Sequence, residues 1–420
     1  MKCHFVGWGL AIAIAPAVLR AQDAVPAAPS TPTPPSAESE ADTLRRAAEA
    51  EADVPSSAAG QSSGQAAPGQ SSGQAAVPAS RDLNRYNPEI SASADMLVQY
   101  LGQSPHVNEE ARTGFTFREL EIDIRSNLDP FSQFRAQLSA GNEGVGVEEA
   151  YILWTGLLSH TTLTAGRMRQ TLSPLNRWHS HALDQFDQPL AIRGMIGEEG
   201  LLQSGMRAEV LIPGFGDSAH TLDLEVTDSE NETLFAGDQY ALPSALAHLG
   251  NVFPLGDAGY LELGLTGLHG YHSQATPAGH EPRAATDLLS ADLSVAYDPV
   301  GGADRFRLFF RSQGLYVDRD DKALKTHVKQ VGGYAYVNAH LDAQFEVGLR
   351  GDYLSGTGDS LSAATDSKTV EISPYITFWE SEFFRLRLQY RHDTVDGGPN
   401  ADLVTLQLDG AVGPHSHDKY

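Results

Sequence analysis

The sequence has almost no cysteine and few basic side chains. Its only cysteine is Cys3, and 29 lysines and arginines stand against 54 aspartates and glutamates, for a formal net charge of -25. A single thiol cannot form an internal disulfide, and Cys3 lies in an N-terminal stretch typical of a cleaved signal peptide, so the exported chain would have no thiolate to bind a metal. Nucleic acid binding requires a basic face, which this composition does not provide. Disulfide scaffolds, cysteine-ligated metals and nucleic acid partners are therefore excluded.

Long apolar runs are also missing after the N-terminus. The stretch from Phe5 to Leu19 follows Lys2 and precedes Ala21, and it is shorter than the roughly 20 residues of a membrane-spanning helix. A basic start, a short apolar stretch and a small residue at its end are typical of a secretory signal peptide. We predict a signal peptide over residues 1–21 and export of the rest of the chain.

Residues 22–85 lack any pattern that could bury a core. Residues 36–54 favour a short charged helix, and the eight residues that begin at Gly60 recur from Gly69. Such Gly, Ser and Gln composition is typical of a flexible linker. We predict a low-complexity periplasmic tether, which either contacts peptidoglycan or is a tolerated insertion.

From about Ile90 onwards, apolar residues recur with a period of two. The clearest segment is 341–353, and similar alternation recurs over 222–226, 289–295 and 384–391. This is the pattern of strands with one apolar and one polar face. The first face requires lipid or a core, and the second requires water.

Sixteen such strands can be placed along the chain, and many have the ~9–11 residues needed to cross a bilayer obliquely. Tight turns such as 128–130 follow the even-numbered strands except the last, whereas longer polar loops follow most odd-numbered ones. Short turns at one end and long loops at the other are typical of outer-membrane barrels. We predict an all-β fold over residues 86–420, a transmembrane antiparallel β-barrel of about 16 strands (roughly 14 to 18) in the bacterial outer membrane.

The longest loop, residues 170–199, is the candidate constriction, because a long loop folded into an open barrel can narrow it. The side chains expected to set its bore and selectivity are Arg167, Arg169, Arg177, His179, His181, Asp187 and Arg193. His179 and His181 also form a candidate transition-metal site, which Asp187 or Glu198 would complete. The alternative is a polar loop whose histidines form hydrogen bonds to lumen carboxylates.

Charged residues of one parity should line the lumen. The basic ladders are Arg305, Arg307 and Arg311 on one strand and Arg385, Arg387 and Arg391 on another, and the acidic wall is Glu119, Glu121, Asp123 and Glu149. The arginines either form a selectivity track for anionic groups or balance carboxylates on neighbouring strands. An acidic lumen would favour cations, although acidic outer loops would give the same net charge.

Several motifs between residues 110 and 215 point to a known family. They are Phe117-Arg118-Glu119-Leu120-Glu121, Val147-Glu148-Glu149-Ala150-Tyr151, Ala165-Gly166-Arg167, Asn176 with His179 and His181, Asp187 with Pro189, and Gly197-Glu198-Glu199-Gly200. In these motifs the chain resembles outer-membrane porins related to the phosphate-selective porins O and P, some of which are labelled zinc-regulated TonB-dependent outer-membrane receptors. The resemblance implies a porin, trimeric by family analogy. The acidic composition departs from the basic constriction of phosphate-selective members, and about 340 residues cannot supply both a plug and 22 strands.

The sequence therefore predicts a porin-like channel for passive diffusion of small hydrophilic solutes or ions, with no cofactor. It is not expected to be an enzyme, since the Gly-x-Ser-x-Gly pattern occurs only in the tether. The expected partners are outer-membrane lipid and lipopolysaccharide, the barrel-assembly machinery, the solutes and two further copies in a homotrimer. The second hypothesis is a zinc-linked binding or receptor protein that uses His179 and His181.

Overall fold

The computed structural model describes residues 88–413 with short gaps. The gaps are 103–112, 143, 215, 236–237, 240–241, 274, 277–278, 281–283, 300–305, 322–325, 357–367 and 397. The predicted signal peptide, the tether with its helix 36–54, Arg305 and the last seven residues, 414–420, lie outside the described residues.

Most of the described chain belongs to sixteen long strands. They are β1 Glu89–Leu101, β2 Gly114–Asn127, β3 Ser132–Gly141, β4 Gly144–Leu158, β5 Thr161–Arg169, β6 Leu202–Ile212, β7 Ala219–Thr227, β8 Ser244–Pro254, β9 Gly259–Ser273, β10 Ala284–Tyr297, β11 Arg307–Asp321, β12 Thr326–His340, β13 Phe345–Ser355, β14 Lys368–Ser381, β15 Phe384–Val395 and β16 Ala401–Val412. The shorter elements are the strand Asp238–Gln239, the strand pair Ala275–Thr276 and Gly279–His280, the helices α1 Leu190–Met195 and α2 Glu232–Phe235, and three 3-10 turns at Leu175–Arg177, Ser180–Ala182 and Gly256–Ala258. Within the described residues, no helix has the length and apolar character needed to cross a membrane.

The sheet is closed. Each long strand pairs antiparallel with its neighbours in sequence, and the last strand pairs with the first. Ala92 of β1 therefore lies opposite Ile122 of β2 on one side and Val412 of β16 on the other. Closure removes the unpaired edge that an open sheet would expose. The predicted sixteen-strand antiparallel barrel is confirmed.

Side chains alternate between the two faces of the wall as the period of two requires. In β10, Leu288 is fully buried inside, whereas Leu289 is 60% exposed outside. The predicted strand over 341–353 begins later than expected, at Phe345. Its first residues form a turn, because the Asp342 carboxylate accepts hydrogen bonds from the backbone N–H groups of Gln344 and Phe345, each at 2.8 Å.

The inner face is not polar throughout. An apolar cluster lies inside the barrel, towards the strand ends that the longer loops join, and it includes Trp178, Ile192, Phe235, Leu288 and Val317. These residues come from α1, α2, the segment before α1 and the wall. At these strand ends both parities carry apolar residues, as in Leu288-Leu289. The polar inner face that we expected from simple alternation is therefore wrong for this end of the barrel.

The wall leaves room for α1 at one glycine. A Cβ built on Gly332 of β12 would lie 2.9 Å from Ala191 Cβ, 3.0 Å from Leu354 Cδ1 and 3.1 Å from Met195 Sδ. The absence of a side chain at this position therefore allows α1 to pack directly on the wall.

We expect Gly332→Val to displace α1, because the added atoms would overlap its side chains at a typical cost of about 1–3 kcal/mol. Gly351→Val is the matched control, because a Cβ there would meet no atom of the described residues within 4 Å. The urea midpoint of the refolded barrel measures the effect. Equal midpoints for the two variants would contradict this packing of α1.

Candidate functional site

The segment between β5 and β6, residues 170–201, lies inside the barrel and is called the inner loop below. Asn176 ties its two ends together: the amide donates to the carbonyls of Gln170 (2.8 Å) and Leu201 (3.1 Å) and accepts from the N–H of Leu201 (2.7 Å). Gly200 next to it has a φ of 72°, and a Cβ there would lie 2.4 Å from Asn176 Oδ1. The neck of the inner loop is therefore closed by one side chain and requires glycine beside it.

A β-bulge in β2 turns an extra basic side chain inward. Asp95 of β1 pairs with Glu119, and the next residue of β1, Met96, pairs with Phe117. Arg118 has no partner in β1 and is therefore the additional residue of the bulge. Its guanidinium contacts the Asp95 carboxylate and the carbonyl oxygen of Phe186 in the inner loop. The bulge thus links the wall to the loop.

A second bulge, in β4, does the same for an acidic side chain. Gln137 of β3 pairs with Glu149, and the next residue of β3, Leu138, pairs with Val147. Glu148 is therefore the additional residue of the bulge. Two consecutive carboxylates therefore reach the inside of the barrel, and both contact His179 of the inner loop.

The two histidines attach the inner loop to this acidic part of the wall. His179 Nδ1 lies 3.1 Å from Glu148 Oε2, and its Nε2 lies 3.1 Å from Glu149 Oε2. His181 Nδ1 lies 3.1 Å from Glu121 Oε2, and the two imidazole rings stack with centroids 6.0 Å apart. These are the hydrogen bonds to lumen carboxylates that the sequence offered as an alternative to metal.

His179 is cationic in this setting. Burial and the nearby Arg169 act to lower its pKa, but hydrogen bonds to Glu148 and Glu149 outweigh both and raise the pKa to about 9. A protonated ring donates from both nitrogens, one to each carboxylate. Charge as well as hydrogen bonding therefore holds the loop on β4.

Asp187 attaches the inner loop to a basic part of the wall. Its two carboxylate oxygens lie 3.1 Å from Arg350 Nη2 of β13 and 3.0 Å from Arg391 Nη1 of β15, and Gln389 donates to it at 3.0 Å. Arg350 also donates to the backbone carbonyl of Asp187 at 3.0 Å. A single aspartate is thus held by two arginines and an amide.

A neighbouring aspartate adds a third attachment. Asp184 Oδ2 accepts from Arg311 at 3.1 Å and from the Tyr336 hydroxyl at 2.9 Å. The Arg311 guanidinium in turn lies 4.6 Å from the ring centroid of Trp178, a cation–π distance. Polar and apolar contacts therefore meet on the same wall strands, β11 and β12.

The other predicted ladder arginines also have partners. The contacts are Arg385 with Asp409 (2.8 Å), Arg387 with Gln407 (2.8 Å) and the Leu183 carbonyl (2.9 Å), Arg391 with Glu371 (3.4 Å), and Arg307 with His340 (2.9 Å). Arg385 and Arg391 therefore face carboxylates, which is the arrangement of charge balance, whereas these partners of Arg387 and Arg307 are not anionic. Part of the balance comes from the inner loop rather than from neighbouring strands alone.

The remaining predicted site residues fall in different places. Arg167 pairs with the exposed Glu230 at 2.9 Å and donates to the backbone carbonyl of Val147 at 3.2 Å. In contrast, Arg169 pairs with Glu148 at 2.9 Å, and Arg193 with Glu371 at 2.6 Å. The acidic-wall residue Asp123 is held by Arg125 (2.7 Å) and Arg135 (3.4 Å).

The acidic groups that lie beside the histidines are not the additional ligands that the sequence suggested. Asp187 is held by arginines of β13 and β15, and Glu198 is exposed. The groups that do converge on the histidines are Glu119 and Glu121 of β2 and Glu148 of β4.

A cavity of about 460 Å³ lies beside the inner loop, towards the short turns. Arg177 and Trp178 of the loop line it together with Asp223, Tyr260 and Glu262 of the wall. Arg177 is exposed, and the buried Asp223 has an oxygen without a hydrogen-bond partner among the described residues. Charged residues of both signs therefore line this space.

Several residues that hold the loop were not predicted. They are Arg118, Glu148, Asp184, Arg350 and Glu371. For the two bulges a signal exists, because the apolar positions change parity between Phe117 and Leu120 and between Val147 and Ala150. The partners of Asp184 and Asp187 leave no such local signal, since they lie more than a hundred residues away.

Comparison of the sequence with known proteins gives a distant relative. No protein-family model matches the chain. An uncharacterized protein of Aquifex aeolicus (strain VF5) is 24% identical over 354 residues, which is 76% of this chain and 73% of that protein.

Solved structures share the barrel at low sequence identity. An anion-selective porin from Comamonas acidovorans has a TM-score of 0.53 at 16% identity and covers 78% of this chain and 99% of its own. The outer membrane channel DcaP of Acinetobacter baumannii has a TM-score of 0.53 at 12% sequence identity, and the match covers 78% of this chain and 97% of that protein. A loop-deletion mutant of Vibrio cholerae OmpT has a TM-score of 0.54 at 9% sequence identity, and the match covers 78% of this chain and 100% of that protein. The chain therefore has the fold of outer-membrane porins and channels.

Proposed function

We propose that this protein is an outer-membrane porin-like channel for passive diffusion of small hydrophilic solutes or ions, with the inner loop as its constriction. The observation that carries the proposal is the inner loop itself, held inside a closed sixteen-strand barrel by Asp187, Asp184 and the two histidines. A loop fixed in the lumen sets the bore of a barrel of this size.

The outer surface supports a place in the membrane. Large apolar side chains are exposed along the wall, among them Leu224, Leu265, Leu289, Leu349 and Leu388. Soluble proteins rarely expose so extended an apolar surface, whereas a transmembrane barrel presents an apolar band to lipid. The structural neighbours include an anion-selective porin and an outer membrane channel, which agrees with this location and with a non-enzymatic role.

The proposal is tested by planar-bilayer recording of the refolded full-length protein. We expect steady ohmic steps that persist as the salt concentration is varied. A correctly folded barrel that inserts into the bilayer and passes no current would refute the channel, and would favour the binding or receptor role.

Arg177 gives a sharper prediction about selectivity. Because its exposed guanidinium lines the cavity, Arg177→Glu should raise the ratio of cation to anion permeability. A unit charge at ~4 Å in water contributes about 1 kcal/mol, so the two-unit change from Arg to Glu should alter the interaction energy with an ion by about 2 kcal/mol, a factor of roughly 30. The reversal potential in a salt gradient measures this ratio.

Lys329→Glu is the matched control, since it makes the same charge change at an exposed side chain of β12 that is not part of the cavity lining. Equal reversal potentials for the two variants would show that ions do not pass the Arg177 side of the inner loop.

A further inference from the structure

We propose that the inner loop and the acidic wall together form a binding site for a divalent transition-metal cation such as Zn²⁺. The ligands are His179 and His181 of the loop, Glu119 and Glu121 of β2, and Glu148 of β4. Imidazole and carboxylate groups in combination suit such cations. The site does not depend on whether the barrel conducts.

The ligand atoms form two adjacent sets that share one carboxylate. His181 groups with Glu119 and Glu121, and His179 groups with Glu121 and Glu148, with all ligand atoms of a set within 4.8 Å of one another. The contacts at 3.1 Å from His181 Nδ1 to Glu121 and from His179 Nδ1 to Glu148 are separations that ligands about 2.0–2.2 Å from one ion can adopt. Glu121 is the centre of the site, and no more than two ions can be held.

A second layer of hydrogen bonds orients these ligands. Glu149 lies 3.1 Å from His179 Nε2, and a proton on that nitrogen leaves the Nδ1 lone pair directed towards Glu121 and Glu148. Gln137 donates to the other oxygen of Glu121. Carboxylate and amide partners of this kind fix the tautomer and direction of metal ligands.

The cluster has capacity for an added cation. Glu121 and both histidines are buried, and Glu119 Oε1 is buried without a hydrogen-bond partner among the described residues. A bound cation would give the buried Glu119 oxygen a partner.

The position of the ligands gives the cation a structural consequence. Because both histidines belong to the inner loop and the three carboxylates belong to the wall, a bound ion would link loop to wall by direct coordination. The loop would be held more firmly in the lumen with the ion than without it.

The test is calorimetric titration of Zn²⁺ into the EDTA-treated, refolded full-length protein. We expect saturable binding of one or two ions per chain that Ca²⁺ does not displace, because Ca²⁺ prefers all-oxygen sites. Glu121→Gln should abolish binding, since both ligand sets use this residue. Glu149→Gln should weaken it about 10- to 100-fold, as expected for a residue that orients a ligand.

The variants and controls separate the site from a failure to fold. His179→Gln with His181→Gln alters only the inner loop, so it keeps the test valid if Glu121→Gln does not fold. His220→Ala removes a histidine that contacts Ser218 and Asn251 instead, and it should bind as the parent does. No binding by the folded parent, or parental affinity in the folded double variant, would overturn the proposal, whatever the conductance.

Discussion

Asp187→Asn should release the inner loop and raise the single-channel conductance of the barrel. The substitution leaves Arg350 and Arg391 facing a neutral side chain, and both arginines are buried. Removal of one partner from a buried ion pair costs about 3–5 kcal/mol, so the population of the detached loop should rise about 100-fold or more. Conductance in planar bilayers measures the change in bore.

Trypsin gives an independent measure of loop release. Arg193 follows Asp187 in the inner loop, and its side chain is only 8% exposed. We expect cleavage after Arg193 in the variant and protection in the parent. Asp287→Asn is the control, because Asp287 forms an exposed pair with His269. If Asp187→Asn retained the parental conductance and protection, the anchor would not hold the loop.

The same anchor should resist mild acid. Burial acts to raise the pKa of Asp187, but Arg350 and Arg391 outweigh it and hold the pKa below its usual value. A carboxylate with a lowered folded-state pKa contributes stability that is present above its unfolded pKa and is lost as the pH falls through the folded one. The attachment should therefore persist at the ordinary pKa of aspartate and fail only at lower pH.

Leu288→Ala should destabilise the barrel, whereas Leu289→Ala should not. Leu288 is fully buried in the apolar cluster between the wall and the inner loop, while its neighbour faces outward. Truncation of a buried leucine to alanine costs about 2–5 kcal/mol because it leaves a cavity. On the lipid side, acyl chains refill the space.

Urea unfolding of the two variants in lipid vesicles tests this difference. The two variants truncate adjacent leucines of one strand, one on its inner face and one on its outer face. The membrane environment and the strand pairing are therefore the same in both. Equal loss of stability in both would mean that the interior cluster does not contribute to folding and that the inner loop is held by its polar contacts alone.

The wall of the barrel could be predicted from the sequence, because strand alternation and turn length are local properties. The segment 384–391 shows this, since its apolar and arginine positions fall on opposite faces as expected. The inner loop could be located by its length and its histidines. Its contacts could not, because Asp187 has partners more than 160 residues away, and period two says nothing about which strand will face a loop.

Two kinds of local error have clear physical causes. The alternating pattern predicts a strand from Leu341, but hydrogen bonds from the backbone to the Asp342 carboxylate form a turn there, so the strand begins only at Phe345. Alternation with a period of two predicts an apolar face towards lipid and a polar face towards water. It therefore does not predict apolar packing inside the barrel. At Leu288 both faces are apolar, since a folded loop rather than water covers the inner one.

The bulges at Arg118 and Glu148 affect how related barrels are compared. Each adds one residue to a strand, so the inside and outside positions before the bulge have the opposite parity to those after it. An alignment that holds strict alternation through 115–124 or 145–152 will exchange lipid-facing and lumen-facing columns on one side of the bulge. Homologues that lack either charged residue should therefore align with a one-residue gap at that position, and their lumen charge should be counted only after the gap is placed.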